Sequence, residues 1–214
     1  ARAVDHDDTT HSYDADGLCT TADCEGYEPA ALNAGAYEIK NAGNLVWFAN
    51  YVNAGNYTAD AVLMNDIDLQ PLNDKGKEMV PIGVTDASYS GNKLNLKDQL
   101  KSYQGVFDGN HNEIKNLNMT VTHHYFGLFG LIYGGTVKDL TVSGSIKSDI
   151  QYSLVGGVVG AAKGGAVLSG IVSNVDLTGD ARAHAGGVVG SSQGPDGLLT
   201  IERCVYAGTI DLPN

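Results

Sequence analysis

The tetrapeptide Gly127-Leu128-Phe129-Gly130 recurs as Gly157-Val158-Val159-Gly160 and again as Gly187-Val188-Val189-Gly190, thirty residues apart each time. A fixed period of this length marks a chain built from stacked equivalent turns rather than around one centre. A second ladder follows each mark, at residues 137–144, 172–179 and 201–208, with apolar residues on alternate positions. Alternation is the strand period. The repeats are rich in Val, Ile, Thr and Gly, and three strands of about five or six residues with short turns fill about thirty residues. The expected fold is therefore all-β, a right-handed parallel β-helix. The repeat glycines permit tight corners or close backbone approach between coils, and the Val or Leu between them is expected to face the core.

The segment before the repeats has a different character. Residues 1–28 carry eight of the 25 acids and one base, which reads as a loop-rich lead-in outside the core. Tyr37-Glu38-Ile39 suggests a short strand. Asn41 then caps a helix over about 42–54 whose Leu45, Phe48 and Val52 share one face, widened by Trp47 and Tyr51. Gly55 can end it. The end of a β-solenoid exposes unpaired backbone and apolar core, so a capping element is required there, and this amphipathic helix is the natural one. The organisation read from the sequence is thus a lead-in at 1–36 and a solenoid at 37–214. A polar, Lys- and Asn-containing stretch before Tyr103 reads as a loop inserted into an early coil, on the face where solenoid function usually varies.

Composition removes several classes of function. The formal charge is −12 with only 13 Lys and Arg, so a counterion-release mode of nucleic-acid binding lacks its basic surface. No apolar run approaches the roughly 20 residues that span a bilayer. Three cysteines are too few for a disulfide-stapled fold. Cys204 occupies a ladder position held elsewhere by Leu140 and Val175 and reads as a buried small hydrophobe. Cys19 and Cys24 stand close together and are expected to be disulfide-bonded in an oxidising compartment, with two spectator thiols as the alternative.

The residues also carry a resemblance. Gly127-Leu128-Phe129-Gly130 and its copies, with Val80-Pro81-Ile82-Gly83 and Gly105-Val106-Phe107-Asp108-Gly109-Asn110 before them, resemble the GLUG-motif repeat proteins. Asp16-Gly17-Leu18-Cys19 through Cys24, then Tyr37 through Ala49, resembles the entry module of large surface proteins of Gram-positive, gut-type Firmicutes. Such repeats occur in exported adhesin-like proteins and beside the catalytic domains of IgA-cleaving metallopeptidases. The resemblance implies a secreted or wall-attached setting and transfers no catalytic residue. Met79, where an aromatic often stands, and His111 in the Asp-Gly-Asn turn depart from the pattern.

Several places offer chemistry. Asp66 and Asp68 are two apart on an expected strand and so share a face, as glycosidic acid/base work requires, and Asp108 is a third candidate from a neighbouring coil. The alternative is that these acids bond backbone at turns. In the lead-in, Asp7, Asp8, Asp14 and Asp16 have the hard oxygens that suit Ca²⁺, while His6, His11, Cys19 and Cys24 offer zinc donors at a spacing that fits no standard finger. A solvated acidic tail is the plainer alternative. His124 and His184 sit two coils apart, nearly 10 Å by strand spacing, too far to share a metal. Eleven tyrosines against four phenylalanines raise the prospect of a glycan groove lined by Tyr89, Tyr103, Tyr125 or Tyr152, although Tyr also suits half-buried strands.

The reading is a non-catalytic extracellular module of a larger bacterial surface protein, without cofactor unless Ca²⁺ binds, that adheres to a host or glycan ligand. The alternatives are a polysaccharide lyase or glycoside hydrolase using Asp66, Asp68 or Asp108, and a structural spacer or accessory domain beside a peptidase. With no cap after the last ladder, the expectation is that the polypeptide continues into further domains or that this end pairs with another molecule.

Overall fold

Alternation along residues 140–148 puts Leu140, Val142 and Ile146 on one side of a strand, the left-handed turn at Asp139 brings Val137 to that side as well, and burying it requires an equivalent strand above and below. The computed structural model, which describes residues 11–21, 24–83, 88–90, 93–95, 101–148, 150–179, 183–192 and 198–212, meets this with a parallel β-solenoid of about three turns. The strands Thr136–Ser148 and Val167–Gly179 pair in parallel along their whole length. Below them lie Val106–Asp108 and Glu113–Thr120. Above them lie Thr200–Glu202, Val205–Tyr206 and Ile210–Asp211. Two narrower parallel sheets close each turn: Tyr125–Phe126, Leu154–Gly156 and His184–Gly186 form one, and Phe129–Tyr133, Val159–Lys163 and Val189–Ser192 the other.

The core is therefore made of columns. Phe107, Val137 and Leu168 stack in register, as do Met119, Ile146 and Leu177, and all are buried. Each fully buried side chain of this kind contributes about 1.5–3 kcal/mol. The columns run on into Ile201 and Ile210, which are 50% and 44% exposed because no further coil covers them among the described residues.

The ladder register differs from the sequence reading. Val137 sits on Leu168 rather than on Val172, and Gly144 sits on Val175. Between the paired positions Tyr133/Lys163 and Thr136/Val167, the first coil turns with Gly134-Gly135, and the second uses Gly164-Gly165-Ala166. One additional turn residue makes the offset 31 in this sheet where the tetrapeptides recur at 30, and the alternating apolar pattern is compatible with several other offsets, the one at Val172 among them. Cys204, next to Val205 on Val172, thereby falls level with Ile171 and Leu140 and not with Val175. It is only partly buried, since it lies in the last, uncovered coil.

Close approach, not cornering, explains the repeat glycines. None of the six has a positive φ. A Cβ on Gly160 would stand 2.7 Å from the Gly130 carbonyl oxygen, and one on Gly190 would stand 2.6 Å from that of Val155. The backbones of the two narrow sheets meet here. Leu128, Phe129, Val158 and Val159 are all fully buried at this corner.

The N-terminal turn is built differently. Strand Ala36–Ile39 pairs in parallel with Asp60–Leu63, and the helix Ala42–Asn53 connects them in place of the two narrow sheets. Asn41 caps it, Oδ1 accepting from the Asn44 N–H at 2.8 Å. Leu45, Phe48 and Val52 are fully buried, and the Phe48 ring lies 6.2 Å from Phe107 and 6.4 Å from Tyr103 in the next turn. Trp47 and Tyr51 lie on the flank, stacked on each other at 5.0 Å and against Tyr37 at 5.4 and 5.1 Å. The strand Ala31–Asn33 closes the sheet edge by antiparallel pairing.

The described part of the lead-in, from residue 11 on, packs on the folded body. Leu18 is buried in the main cluster. The Gly43 N–H donates to the Asp16 carbonyl, and Glu28 accepts from the Asn41 side-chain amide. A Cβ on Gly43 would collide with the Gly17 backbone, so the lead-in rests directly on the first helical turn.

Candidate functional site

Ile82 bridges to Phe129 and Tyr103 bridges to Ile132. Where the upper coil needs only Gly130 and Leu131 between those positions, the lower coil carries residues 83–102, including a hairpin of Ser88–Ser90 and Lys93–Asn95. The inserted loop thus leaves the coil at one defined point. Beside it, the end of the cap helix, the segment 78–81 and the corner after Glu113–Thr120 enclose a groove of about 560 Å³.

The groove has an apolar floor and a polar rim. Met79 and Phe126 are buried beneath it, with Val80 and Pro81 at one side. Asn50 and Tyr57 reach it from the helix and the turn that follows, and Glu78, Lys101, Thr122 and His123 complete the rim. Asn53 fixes the wall: its amide donates to the Pro81 carbonyl at 2.9 Å and its Oδ1 accepts from the Gly83 N–H at 2.8 Å. Glu78 clasps Thr120 through both carboxylate oxygens, accepting from its N–H at 2.9 Å and its hydroxyl at 3.0 Å. Thr122 Oγ1 and His123 Nδ1 are 2.9 Å apart.

The acids expected to carry glycosidic chemistry lie elsewhere. Asp66 precedes the two-residue strand Ile67–Asp68; its carboxylate accepts from the Lys115 ammonium at 2.8 Å and the Glu113 N–H at 2.9 Å. Both bonds hold its pKa below the usual carboxylate value, Lys115 first. Asp68 is lowered likewise, by the Asn116 amide and then the Gln70 N–H. Asp108 stands across the strands from Lys138, in ionic contact at 2.6 Å, and accepts from the Asn110 N–H. Lys115 is level with Asp68 and Lys138 with Asp108. Asp108 is in a different column from Asp66 and Asp68, and each acid faces its own partner rather than a shared groove.

The tyrosines divide by burial. Tyr103 and Tyr125 are in the interior, so neither presents a ring face to a glycan. The Tyr103 hydroxyl donates to the Ala59 carbonyl at 3.0 Å, and burial pushes the Tyr125 phenol up to about 12. Both occupy inward positions that the uncertain coil register concealed. Tyr152 is exposed at a positive-φ turn. Tyr89 lies on the hairpin strand Ser88–Ser90, of which the backbone alone is described. Tyr57 and His123, which line the groove, carried no sequence signal: one belongs to a turn after the helix and the other to a corner, and the insertion brings them together.

In the lead-in, Asp14 Oδ1 accepts from the Leu18 and Asp16 N–H groups at 2.9 and 3.1 Å, and its Oδ2 meets Lys75 at 3.0 Å. A carboxylate so engaged is a turn former more than a Ca²⁺ ligand. Asp16 is partly exposed, and His6, Asp7 and Asp8 lie outside the described residues. Cys19 and Cys24 are disulfide-bonded with Cα atoms 6.0 Å apart. Fold and groove together define a class, a parallel β-solenoid with a small-ligand-sized groove beside a loop insertion. Comparison with protein-family models, curated proteins and solved structures gave no match.

Proposed function

We propose that this chain is a non-catalytic, extracellular ligand-binding module of a larger bacterial surface protein, and that the groove between the cap helix and the insertion holds the ligand. The observation that carries the reading is the groove itself. A buried apolar floor of Met79 and Phe126 beneath a rim of amide, phenol, carboxylate, imidazole and ammonium groups suits a sugar ring, which has an apolar face and a hydroxyl edge. Glycosidic hydrolysis wants two facing carboxyls about 5–9.5 Å apart. Among the described lining residues Glu78 is the one carboxylate, and both of its oxygens are engaged by Thr120. This favours binding over cleavage.

The test is retention of the protein on a panel of immobilised host and plant polysaccharides, with released reducing ends scored in the same samples. Retention that falls at least about tenfold in Tyr57→Ala and His123→Ala, without released ends, is the expected result; each loss then reads as a missing groove contact of about 1.4 kcal/mol. Release of ends that stops with Asp66→Asn, Asp68→Asn or Asp108→Asn makes the protein an enzyme. Silence in both channels points to a protein ligand or a spacer.

A further inference from the structure

The lead-in brings together three donor atoms that ligand binding in the groove does not use. His11 Nδ1 lies 3.1 Å from Cys24 Sγ and 3.6 Å from Cys19 Sγ, and one ligand atom from each residue falls within 4.8 Å of the others. We propose that this cluster is a redox-gated metal centre. It is closed while the two sulfurs are bonded to each other. Once they are reduced, it is a Cys₂His site for Zn²⁺ or another thiophilic divalent ion.

The geometry suits the reduced form with little rearrangement. Tetrahedral zinc, with bonds of about 2.3 Å to sulfur and 2.0–2.1 Å to nitrogen, sets sulfur and nitrogen about 3.6 Å apart and the two sulfurs about 3.8 Å apart. The imidazole already stands at that range from Cys19 Sγ, at 3.6 Å, and half an ångström inside it from Cys24 Sγ, at 3.1 Å. Only the sulfurs must part, by side-chain rotation over Cα atoms 6.0 Å apart.

The surroundings favour thiolates. The Gly26 N–H donates to Cys24 Sγ at 3.3 Å, the kind of bond that stabilises a metal-bound thiolate. A Cβ on Gly26 would stand 3.2 Å from the His11 ring, so glycine leaves the imidazole its place. The loop is held by Tyr13–Cys19 and Leu18–Tyr27 bridges and by the Cys19 N–H on the Gly26 carbonyl. A cavity of about 320 Å³ lined by both cysteines, Lys75 and Lys77 gives a reductant and an ion a way in. Lys75 is already paired with Asp14 at 3.0 Å, so Lys77, whose ammonium donates to the Cys24 carbonyl at 3.0 Å, is the cation that favours the anionic sulfurs.

The chemistry balances with a dithiol reductant. Its thiolate attacks one sulfur to give a mixed disulfide and release one cysteine. Its second thiol then closes to a cyclic disulfide and frees the other, so two electrons pass to the protein. A divalent ion displaces the two thiol protons and is bound by the lone pair of His11 Nδ1, and water fills the fourth position.

Co²⁺ is the probe. The full chain is reduced with excess dithiol, freed of it without oxygen and titrated with Co²⁺ alone, while circular dichroism follows the β signature. A thiolate-to-cobalt charge-transfer band that saturates at one equivalent and is displaced by Zn²⁺ is expected. It should be absent from the oxidised protein and from Cys19→Ser and Cys24→Ser, and retained in Cys204→Ser. His11→Ala should raise the dissociation constant at least about tenfold. A missing band, a band that follows Cys204, or one indifferent to His11→Ala overturns the proposal. So does a reduced chain that unfolds and is not restored by the metal.

Discussion

Single residues here act mainly through what their backbone neighbours permit. Gly160 is required by a carbonyl of the coil below, and Gly160→Ala should lower the unfolding free energy by about 1–3 kcal/mol, the usual cost of overpacking, as read from urea melts. Asp66 and Asp68 illustrate the electrostatic side. Their folded pKa values lie below the unfolded one, so the stability they add is complete above about pH 4 and is lost as pH falls through the folded values. Denaturant midpoints between about pH 6 and pH 2.5 should therefore drop less steeply in Asp66→Asn/Asp68→Asn than in the parent. The Asp66 side chain is 53% exposed, so near pH 7 solvent screens the pair with Lys115 and its contribution is small. In the sequence Asp66 and Lys115 are 49 positions apart; only the stacking register makes them partners.

At the scale of elements, the cap helix was legible because capping and periodicity are local. Asn41 precedes a run whose apolar spacing is helical, and the helix forms there with Leu45, Phe48 and Val52 inward. Two substitutions separate what starts the helix from what holds it. Asn41→Ala should cost about 1 kcal/mol through the lost cap, and Phe48→Ala about 3–5 kcal/mol through the cavity left against Phe107 and Tyr103. Both are measured by chemical denaturation. The strand ladders were legible as strands but not in register. A pattern of apolar residues every second position matches its neighbour at more than one offset, and turn length decides among the offsets. Gly164-Gly165-Ala166 against Gly134-Gly135 made that decision. The faces of Tyr103 and Tyr125 were open in the sequence for the same reason, since a ring's face follows from register, and their burial agrees with the half-buried-strand alternative.

For the molecule as a whole, stability should be graded along the stack, because each turn is held only by its neighbours. Val137, Leu168, Ile146 and Leu177 are sandwiched, whereas Ile201 and Ile210 are open on one side. Amide hydrogen exchange should be slowest in Thr136–Ser148 and Val167–Gly179 and fastest in Thr200–Glu202 and Ile210–Asp211. Uniform protection across these strands would contradict the graded picture. The sequence by itself determined the architecture and the cap, because a thirty-residue period, strand alternation and an N-capped apolar face are properties of neighbouring residues. The tertiary structure alone decided the coil register, the pairing of Asp66 and Asp108 with lysines, the meeting of His11 with two sulfurs, and the groove of Tyr57, Glu78 and His123. Each of these depends on how many residues a turn or an insertion consumes before the chain rejoins the stack, and that length becomes a position only when one coil lies upon another.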